Sequence, residues 1–335
     1  MKNKVLIIAE AGVNHNGSLK IAKKLVDAAK FAGADIVKFQ TFKASSLATS
    51  KAPKAKYQIS KNMKKENQFQ MLKKLELKYE YHLDLIKYCK LKKIEFLSSA
   101  FDLTDLDFLK KLKLKRFKIP SGEITNYLYL KKIGSFKKKI ILSTGMSNLS
   151  EIRKALSIIY KKGVKKKQIT LLHCTSEYPA TVDALNLNAI TTLREKFNLT
   201  IGYSDHTTNC ITAVAAVALG AQIIEKHLTL DNNFNGPDHK SSLNPQDFKL
   251  MVKYIRQTEK SLGNGIKIPN KYEKKNIKIV RKSIVAKNNI KKGELFSVKN
   301  LSFKRPGYGI SPMKIMRILG KRAKKNFKKD DLIKI

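Results

Sequence analysis

Polar and ionisable side chains stand at the C-terminal ends of eight short apolar segments of the chain. They are Glu10, Lys38 and Gln40, Ser98 and Ser99, Lys118 and Ser121, Ser143 and Thr144, His173 and Thr175, Ser204 to His206, and Glu225 to His227. Turns are polar in any protein, which accounts for two or three such ends. Polar groups at all eight ends indicate a shared active site.

The lysines and hydroxyls among these groups describe an anionic ligand. Lys38 and Lys118 lie within apolar strand sequences, IVKFQ and RFKIP, so they are less able to extend into water than most lysines. Lysine acts as a point charge for phosphate, and hydroxyls add hydrogen bonds. The nearby hydroxyls are those of Ser98, Ser99, Ser143, Thr175 and Ser204. We therefore predict a site for a phosphate together with a carboxylate.

Two histidines could bind a metal ion. His206 and His227 leave neighbouring segments, so they can face one metal although 21 residues separate them. Neutral imidazoles with oxygen ligands suit Mn²⁺ or Zn²⁺, and a metal with open positions would polarise a carbonyl substrate. The alternative is a pair of histidines without metal. His15, in the first loop, has no assigned role.

Two carboxylates complete the candidate site. Glu10 and Glu123 stand where a buried carboxylate can act as a general base or hold a substrate hydroxyl. Either could instead be the structural partner of a lysine at the same rim. The sequence leaves both readings open.

Eight short β-branched segments alternate with amphipathic helical stretches, which is typical of parallel β/α units. The strands are predicted at Val5–Ala9, Ile36–Gln40, Ile94–Ser98, Arg116–Ile119, Ile140–Ser143, Ile169–His173, Leu199–Tyr203 and Ile223–His227. The helices are predicted at Ser18–Phe31, Leu103–Leu112, Tyr127–Ile133, Leu149–Tyr160, Leu187–Phe197, Ile211–Leu219 and Pro245–Leu262, with a helical insertion from Ser60 to Leu91. Eight repeats of this size predict an α/β fold, a (β/α)₈ (TIM) barrel, which typically has about 250 residues. A doubly wound open sheet is the alternative, but its usual glycine-rich loop is missing.

The remainder of the chain reads differently. Glycines at Gly263 and Gly265, which interrupt regular structure, predict that the barrel domain covers residues 1–265. The lysine-rich run that follows predicts a linker over residues 266–281. Short β segments and turns predict a small, mostly β domain over residues 282–335. A domain of that size is marginally stable alone, so we expect it to pack on a barrel or on a partner chain.

The net charge of +43 invites a nucleic-acid or anionic-membrane interpretation. However, the basic residues are 61 lysines and 8 arginines spread along the chain, whereas nucleic-acid recognition relies on arginine. We expect neither nucleic acid nor membrane as a partner. No apolar run spans a bilayer, the first residues do not form a signal peptide, and three widely spaced cysteines suit a reducing cytoplasm.

Nine sequence blocks in this order resemble the sialic acid (N-acetylneuraminate) synthase family, which includes N,N′-diacetyllegionaminate synthases. The blocks are EAGVNHNGS, VKFQTF, FKIPSGE, LSTGM, HCTSEYP, GYSDHT, EKHLTLD, GPDHKSS and KRPGYGISP. The resemblance covers nearly the whole chain, and the last block belongs to a tail that looks like the family's antifreeze-like (SAF) domain.

The resemblance implies a transferase that condenses phosphoenolpyruvate with an open-chain N-acetylmannosamine-type sugar and water and releases phosphate by C–O cleavage. It implies a divalent metal at His206 and His227, with Mn²⁺ preferred and Mg²⁺ or Co²⁺ as alternatives. By motif, Glu10 matches the catalytic carboxylate. Phosphoenolpyruvate positions are matched by Lys38, Ser99, Lys118, Ser143, Thr175, Ser176 and Ser204, of which Ser176 departs from the family's usual residue. Sugar contacts are matched by Gln40, Glu123, Tyr178 and Asp238.

The tail carries one further implication. Arg305, in KRPG, resembles the arginine that one subunit's tail inserts into its partner's barrel, so the resemblance implies a domain-swapped homodimer. The sugar stays open between N-acetylmannosamine and 2,4-diacetamido-2,4,6-trideoxymannose, and we expect the loop Lys43–Gln58 to discriminate between them. Two other functions stay open: a metal-dependent aldolase on the same barrel, and a non-catalytic protein that binds polyanions or carbohydrate.

Overall fold

The computed structural model describes residues 4–55, 58 and 66–335 of the chain. Its first strands form a parallel sheet: β1 Leu6–Gly12, β2 Ile36–Thr41, β3 Glu95–Ala100, β4 Arg116–Ile119, β5 Lys139–Ser143, β6 Ile169–Cys174, β7 Thr200–Asp205 and β8 Ile223–His227. They pair in chain order, and β8 pairs back onto β1, which closes the barrel. The predicted (β/α)₈ barrel is confirmed. The predicted doubly wound alternative is wrong, because that fold leaves the sheet open.

The interior of the barrel is built in layers, because successive side chains of a strand point alternately inward and outward. One interior layer is apolar and buried, and it consists of Ile8, Ile36, Leu97, Ile141, Leu172 and Ile223. At the corresponding point on β7 stands Gly202, where a Cβ atom would lie 2.5 Å from the carbonyl oxygen of Ile223. Only glycine fits there, so the backbone of β7 can approach β8 closely.

Helices cover the outside of the strands. They are α1 Leu19–Phe31, α2 Ala44–Leu47, α3 Gln68–Leu75, α4 Tyr79–Leu91, α5 Leu103–Lys111, α6 Tyr127–Ser135, α7 Leu149–Tyr160, α8 Ala189–Phe197, α9 Ile211–Ala218 and α10 Pro245–Ser261. Apart from α2 and α3, their apolar faces pack on the outward side chains of the strands and form the main core. Of the described helices, none has both the length and the apolar character needed to cross a membrane.

The predicted helical insertion from Ser60 to Leu91 is two helices with a break, and its residues 60–65 lie outside the described residues. α3 begins with a capping box in which Asn67 and Gln70 bond each other's backbone. The chain becomes extended at Glu76, whose carboxylate accepts a hydrogen bond of 2.8 Å from the backbone N–H of Ala44. This contact joins the end of α3 to the start of α2. The extended backbone at Glu76 ends α3 before α4 begins.

His82 on α4 gives a test of how the core responds to pH. It is fully buried, with Nε2 2.7 Å from Thr41 Oγ1 and Nδ1 3.0 Å from the Lys78 carbonyl oxygen. Burial lowers the pKa of His82 to about 4. Between about pH 6.5 and pH 4 the unfolded chain therefore holds a proton that the folded chain does not, and the free energy of unfolding falls as pH falls.

We expect His82→Gln to reduce the slope of unfolding free energy against pH in this window by up to about 1.4 kcal/mol per pH unit. Urea unfolding at several pH values measures this slope independently of any loss in overall stability. Lys87→Gln on the exposed side of α4 is the matched control and should leave the slope unchanged. An unchanged slope in His82→Gln would contradict the lowered pKa.

Residues Asn264–Ile335 form a second compact unit. It contains α11 Lys271–Val280, β9 Ser283–Ala286 and β10 Leu301–Lys304, and the two strands pair antiparallel. Its own core is apolar and includes Ile284, Phe296 and Phe327. The presence of a small domain with antiparallel strands agrees with the prediction.

The structure differs from the sequence interpretation in the segment that we assigned to a linker, residues 266–281. Most of it is helical, because α11 starts at a capping box between Asn270 and Glu273. The side chain of Asn270 accepts from the backbone N–H of Glu273, and Glu273 accepts from that of Asn270. These bonds satisfy N–H groups that a helix start otherwise leaves open.

Candidate active site

A ring of eight side chains, one from each barrel strand, lies one layer beyond the apolar interior. Each member follows an inward-facing position by two residues, as Lys38 follows Ile36, so it also faces inward. We call this set the polar ring: Glu10, Lys38, Ser99, Lys118, Ser143, Cys174, Ser204 and Glu225. All of its members line a cavity of about 470 Å³ at the C-terminal end of the barrel. The period of the strands thus brings chemically active groups into one layer.

An ion network connects the charged members of the polar ring. Lys38 Nζ lies 2.6 Å from Glu10 Oε2 and 3.8 Å from Glu225 Oε2. Lys118 Nζ lies 3.1 Å from Glu225 Oε1, which also accepts a hydrogen bond of 3.0 Å from Ser204 Oγ. All four charged side chains are at most 6% exposed. Two cations and two carboxylates therefore share one enclosed space.

The pKa values of these groups separate into two kinds. Burial alone would raise the pKa of Glu225, but Lys118 and Lys38 outweigh it and hold this pKa at about 2. Burial raises the pKa of Glu10 even though Lys38 opposes it. Glu225 is therefore a fixed negative charge, whereas Glu10 is the carboxyl group of the ring that more readily holds a proton.

The two lysines also differ. Burial would lower the pKa of Lys38, but Glu10 and Glu225 outweigh it and the pKa is raised. Burial lowers the pKa of Lys118, and the attraction of Glu225 only partly offsets this. An anionic ligand near Lys118 would supply the negative charge that this ammonium group lacks.

A hydroxyl of the ring is available to a ligand. Ser143 Oγ is buried and has no hydrogen-bond partner within the described part of the chain. A buried hydroxyl without a partner costs stability, so its presence at the cavity wall is typical of a group that bonds a ligand. It lies in the same layer as Lys118, since both belong to the polar ring.

His206 and His227 meet at the cavity wall, with ring centroids 5.6 Å apart. His206 Nδ1 lies 2.6 Å from the carbonyl oxygen of Thr175 and donates to it, which leaves the lone pair of Nε2 available. Burial lowers the pKa of His206 to about 4 and that of His227 well below its usual value. Both imidazoles are neutral at neutral pH, as metal ligands must be.

The residues present fit a divalent metal ion. His227 Nδ1 is buried without a hydrogen-bond partner among the described residues, and Asp238 Oδ2 lies 3.6 Å from it. In the described ranges, no cluster of three or more His, Cys, Asp or Glu side chains is arranged to hold a metal. The two histidines would thus provide an open site in which substrate or water supplies the other ligands.

The predicted sugar contacts Gln40, Tyr178 and Asp238 line the same cavity, as does Ser176. Gln40 Nε2 donates a 3.1 Å hydrogen bond to Glu10 Oε1, and the ring of Tyr178 lies 4.1 Å from that of His206. Burial, with a smaller contribution from Glu10, raises the pKa of Asp238 to about 7.

Some predicted residues lie elsewhere. Thr175 Oγ1 donates to the Ala184 carbonyl oxygen at 3.2 Å and contributes to the site through its own carbonyl group, which holds His206. The carboxylate of Glu123 is half-buried and accepts from Asn126 Nδ2 at 2.7 Å, and Glu123 does not line the cavity. Arg305 is exposed in the second unit.

Sequence reasoning placed Glu225 at a strand end without giving it a role, and it did not consider Cys174. Glu225 contacts both lysines of the polar ring, and Cys174 Sγ lies 3.3 Å from Ser121 Oγ at the cavity wall. The alternation of side chains along a strand could have found both residues. Glu225 and Cys174 each stand two positions after an inward-facing apolar residue, so they also face inward.

Behind the histidines, an outward-facing ion pair fixes the ends of β7 and β8. Lys226 Nζ lies 2.9 Å from Asp205 Oδ2, and neither side chain has exposed surface. Lys226 also donates to the carbonyl oxygens of Thr207 and Asn209, at 2.6 and 2.9 Å. The loop that follows His206 is thereby held to the strand that carries His227.

Comparison with known proteins identifies the family. A sequence model of the NeuB family matches residues 25–267, and one of the SAF domain matches residues 281–335. N,N′-diacetyllegionaminic acid synthase of Campylobacter jejuni is 56% identical over 331 residues, which cover 99% of both chains. The enzyme of the same name from Legionella pneumophila is 46% identical, over 96% of this chain and 90% of that one.

A solved structure agrees with this assignment. N-acetylneuraminic acid (sialic acid) synthetase from Leptospira borgpetersenii is 35% identical with a TM-score of 0.72, over 82% of this chain and 90% of that one. The family match covers more than half of the chain and the relatives align over nearly all of it, so the chain belongs to the NeuB family and ends in a SAF domain.

Proposed function

We propose that the protein condenses phosphoenolpyruvate with an open-chain mannosamine-type sugar and water to give a nine-carbon 2-keto acid and phosphate. The observation that carries the proposal is the polar ring, in which two buried lysines and an unpartnered hydroxyl face a cavity beside two neutral histidines. The relative that is 56% identical supports 2,4-diacetamido-2,4,6-trideoxymannose as the sugar and N,N′-diacetyllegionaminate as the product.

In this reaction the polar ring holds the phosphoenolpyruvate. Lys38 and Lys118 neutralise its phosphate and carboxylate, and Ser99 and Ser143 donate hydrogen bonds. Ser204 lines the same cavity and donates its hydroxyl proton to Glu225. The sugar's aldehyde lies toward His206 and His227, with Gln40, Tyr178 and Asp238 around its hydroxyl and acetamido groups. This arrangement places C3 of phosphoenolpyruvate against the aldehyde carbon.

The bond changes then balance as follows. C3 of phosphoenolpyruvate bonds to the aldehyde carbon, whose oxygen gains a proton, and C2 becomes electrophilic. Water adds to C2 and loses one proton. The C2–O bond to the phosphate then breaks, the remaining C2 hydroxyl gives its proton to the departing phosphate, and the 2-keto group forms. Glu10, whose pKa burial raises, is the group that we propose to move these protons.

His206 and His227 would hold a divalent metal, for which we propose Mn²⁺, with Mg²⁺ or Co²⁺ as alternatives. Such an ion would supply Lewis-acid polarisation of the sugar's carbonyl group. The neutral state of both imidazoles, set by burial, keeps them ready to bind it at neutral pH.

The decisive experiment measures phosphate and the nine-carbon acid after incubation with phosphoenolpyruvate, Mn²⁺ and each candidate sugar. We expect both products in equal amounts. With ¹⁸O at the oxygen between C2 and phosphorus, C–O cleavage carries the label into phosphate. Absence of phosphate with every sugar would overturn the proposal. If pyruvate replaced phosphoenolpyruvate in the same assay, an aldol product would favour an aldolase.

We also propose that Arg305 completes the active site of a partner subunit in a domain-swapped homodimer. Its guanidinium would bind the sugar's acetamido carbonyl. Arg305→Ala should then lower kcat/KM by about 100-fold, comparable to loss of one strong donor at a reacting centre, with the barrel still folded. Arg317→Ala, an exposed arginine of the same unit, is the matched control in a steady-state assay with a thermal melt.

Mixed dimers distinguish an arginine supplied by the partner from one supplied by the same chain. A subunit with Arg305→Ala and one with Lys118→Met should each keep about 1% of wild-type activity or less when alone. After unfolding and refolding together, exchange between subunits gives one intact site in half of the dimers, or roughly a quarter of wild-type activity. No recovery in refolded mixtures that contain dimers would contradict the exchange.

A further inference from the structure

The cavity has a second, apolar side that the reaction at the polar ring does not use. We call it the apolar wall: Val13, Leu47, Met71, Leu72, Leu75 and Phe101, all of which line the cavity. With Phe42 they form a hydrophobic cluster separate from the main core and from the apolar layer of the barrel. Val13, Met71 and Leu75 are at most 6% exposed, whereas Leu47, Leu72 and Phe101 are half-buried and present apolar surface.

The apolar wall occupies one sector of the barrel mouth. Val13 follows β1, Leu47 and the α3 residues follow β2, and Phe101 follows β3. These three strands are neighbours in the closed sheet, whereas His206 and His227 stand at the ends of β7 and β8. A ligand whose reacting end lies at the polar ring and the histidines can therefore place its far end against the wall.

Local contacts hold the wall in place. The carboxylate of Glu76, just after α3, accepts from the backbone N–H of Ala44 at 2.8 Å and lies 3.4 Å from Lys43 Nζ. α2 and α3 are thus joined before any ligand binds. On the same side of the cavity, Gln68 Nε2 donates to Gln58 Oε1 at 3.4 Å, so two amide groups border the apolar surface.

From this arrangement we infer that the apolar wall recognises the distal carbons of the sugar and selects a 6-deoxy sugar with an acylamino group at C4. A methyl group at C6 and the methyl of an acetamido group contribute favourable free energy when they leave water for an apolar surface. Hydroxyl groups at these carbons would lose hydrogen bonds to water without replacement. The neighbouring amides of Gln58 and Gln68 suit the polar part of an acylamino group.

The inference rests on the proposed function, since it concerns the sugar of that reaction. It also refines the sequence interpretation, which assigned discrimination to the loop Lys43–Gln58. Residues 56–57 of that loop lie outside the described residues. Of the described residues of the apolar wall, Leu47 belongs to that loop, whereas α3 contributes three residues from beyond it.

The test compares two sugars that differ only at C6, N-acetylmannosamine and its 6-deoxy analogue, with phosphoenolpyruvate and Mn²⁺. We expect the wild-type protein to prefer the 6-deoxy sugar in kcat/KM by about 10–100-fold, the range for one group in an apolar pocket. Leu72→Gln should remove most of this preference, mainly through KM, because uniform binding is lost. Leu72 is half-buried, so it tolerates a polar side chain better than Met71.

Leu83→Gln on α4 is the matched control, since Leu83 is 52% exposed and does not line the cavity. A thermal melt accompanies each variant, and Leu72→Ala provides a second, smaller change at the same place. Equal kcat/KM for the two sugars in the wild type would overturn the inference while leaving phosphate release intact. Absence of phosphate with both sugars and with 2,4-diacetamido-2,4,6-trideoxymannose would instead overturn the proposed function. An unchanged preference in folded Leu72→Gln and Leu72→Ala would also overturn the inference.

Discussion

Lys118→Met should lower kcat/KM for phosphoenolpyruvate by about 1,000-fold, at the upper end of what loss of one preorganised donor costs. Lys118 is buried in the polar ring, and burial already lowers the pKa of its ammonium group. An anionic substrate is the partner that makes this buried cation favourable, so the substitution removes an interaction that binding and reaction both need. A methionine of similar length keeps the packing.

Stability must be separated from catalysis in this experiment. Lys118→Met leaves Glu225, 3.1 Å away, without its nearest cation, and breaking a buried pair in this way costs about 3 kcal/mol or more. Adding Glu225→Gln removes the stranded charge, so the double variant should regain stability without regaining activity. Steady-state kinetics and urea unfolding measure the two effects.

Lys115→Met is the matched control for Lys118→Met, because Lys115 is exposed just before β4. It should leave both quantities unchanged. If the double variant recovered activity together with stability, Lys118 would be a structural partner of Glu225 and not a substrate ligand. The sequence alone left a structural ion-pair role open for Glu10 and Glu123, and this experiment asks the same question of Lys118.

The barrel was predictable because its signal repeats. Two predicted strands, Arg116–Ile119 and Ile223–His227, have the bounds seen in the structure, and the others differ by a few residues at their ends. β1 shows why ends are less certain: the prediction stopped at Ala9, but β1 runs to Gly12 and includes Glu10. Carboxylate residues are uncommon inside strands, so a propensity argument ends the strand before Glu10. Glu10 lies inside β1 because it forms an ion pair with Lys38.

The site was predictable only in part, because the sequence does not show which way a polar residue points. Three polar residues, Glu225, Lys226 and His227, follow one another at the end of β8. The register with β1, in which Glu225 lies opposite Ile8, turns Glu225 and His227 inward and Lys226 outward to Asp205. Long-range register of this kind depends on the closed sheet and not on local sequence.

His227→Gln should weaken Mn²⁺ binding by at least about 100-fold, because loss of even an outer-shell partner costs roughly 10–100-fold in metal affinity. In the wild type, a chelator should abolish phosphate release and added Mn²⁺ should restore it. In the variant, Mn²⁺ at wild-type concentrations should not restore it. The physical reason is that His227 Nδ1 is buried with no hydrogen-bond partner among the described residues, and burial strongly lowers the pKa of His227, so a neutral nitrogen faces the cavity.

His173→Gln is the matched control for this prediction. His173 lies on the same barrel, but its Nε2 is 2.7 Å from the carbonyl oxygen of Leu185, and it does not line the cavity. Titration calorimetry on the metal-free protein should find Mn²⁺ affinity unchanged in His173→Gln and strongly reduced in His227→Gln. Two results would contradict the prediction: full activity of the metal-free wild type, or equal Mn²⁺ affinity of His227→Gln and the wild type. His206 and His227 would then be neutral core histidines whose lowered pKa values reflect burial alone.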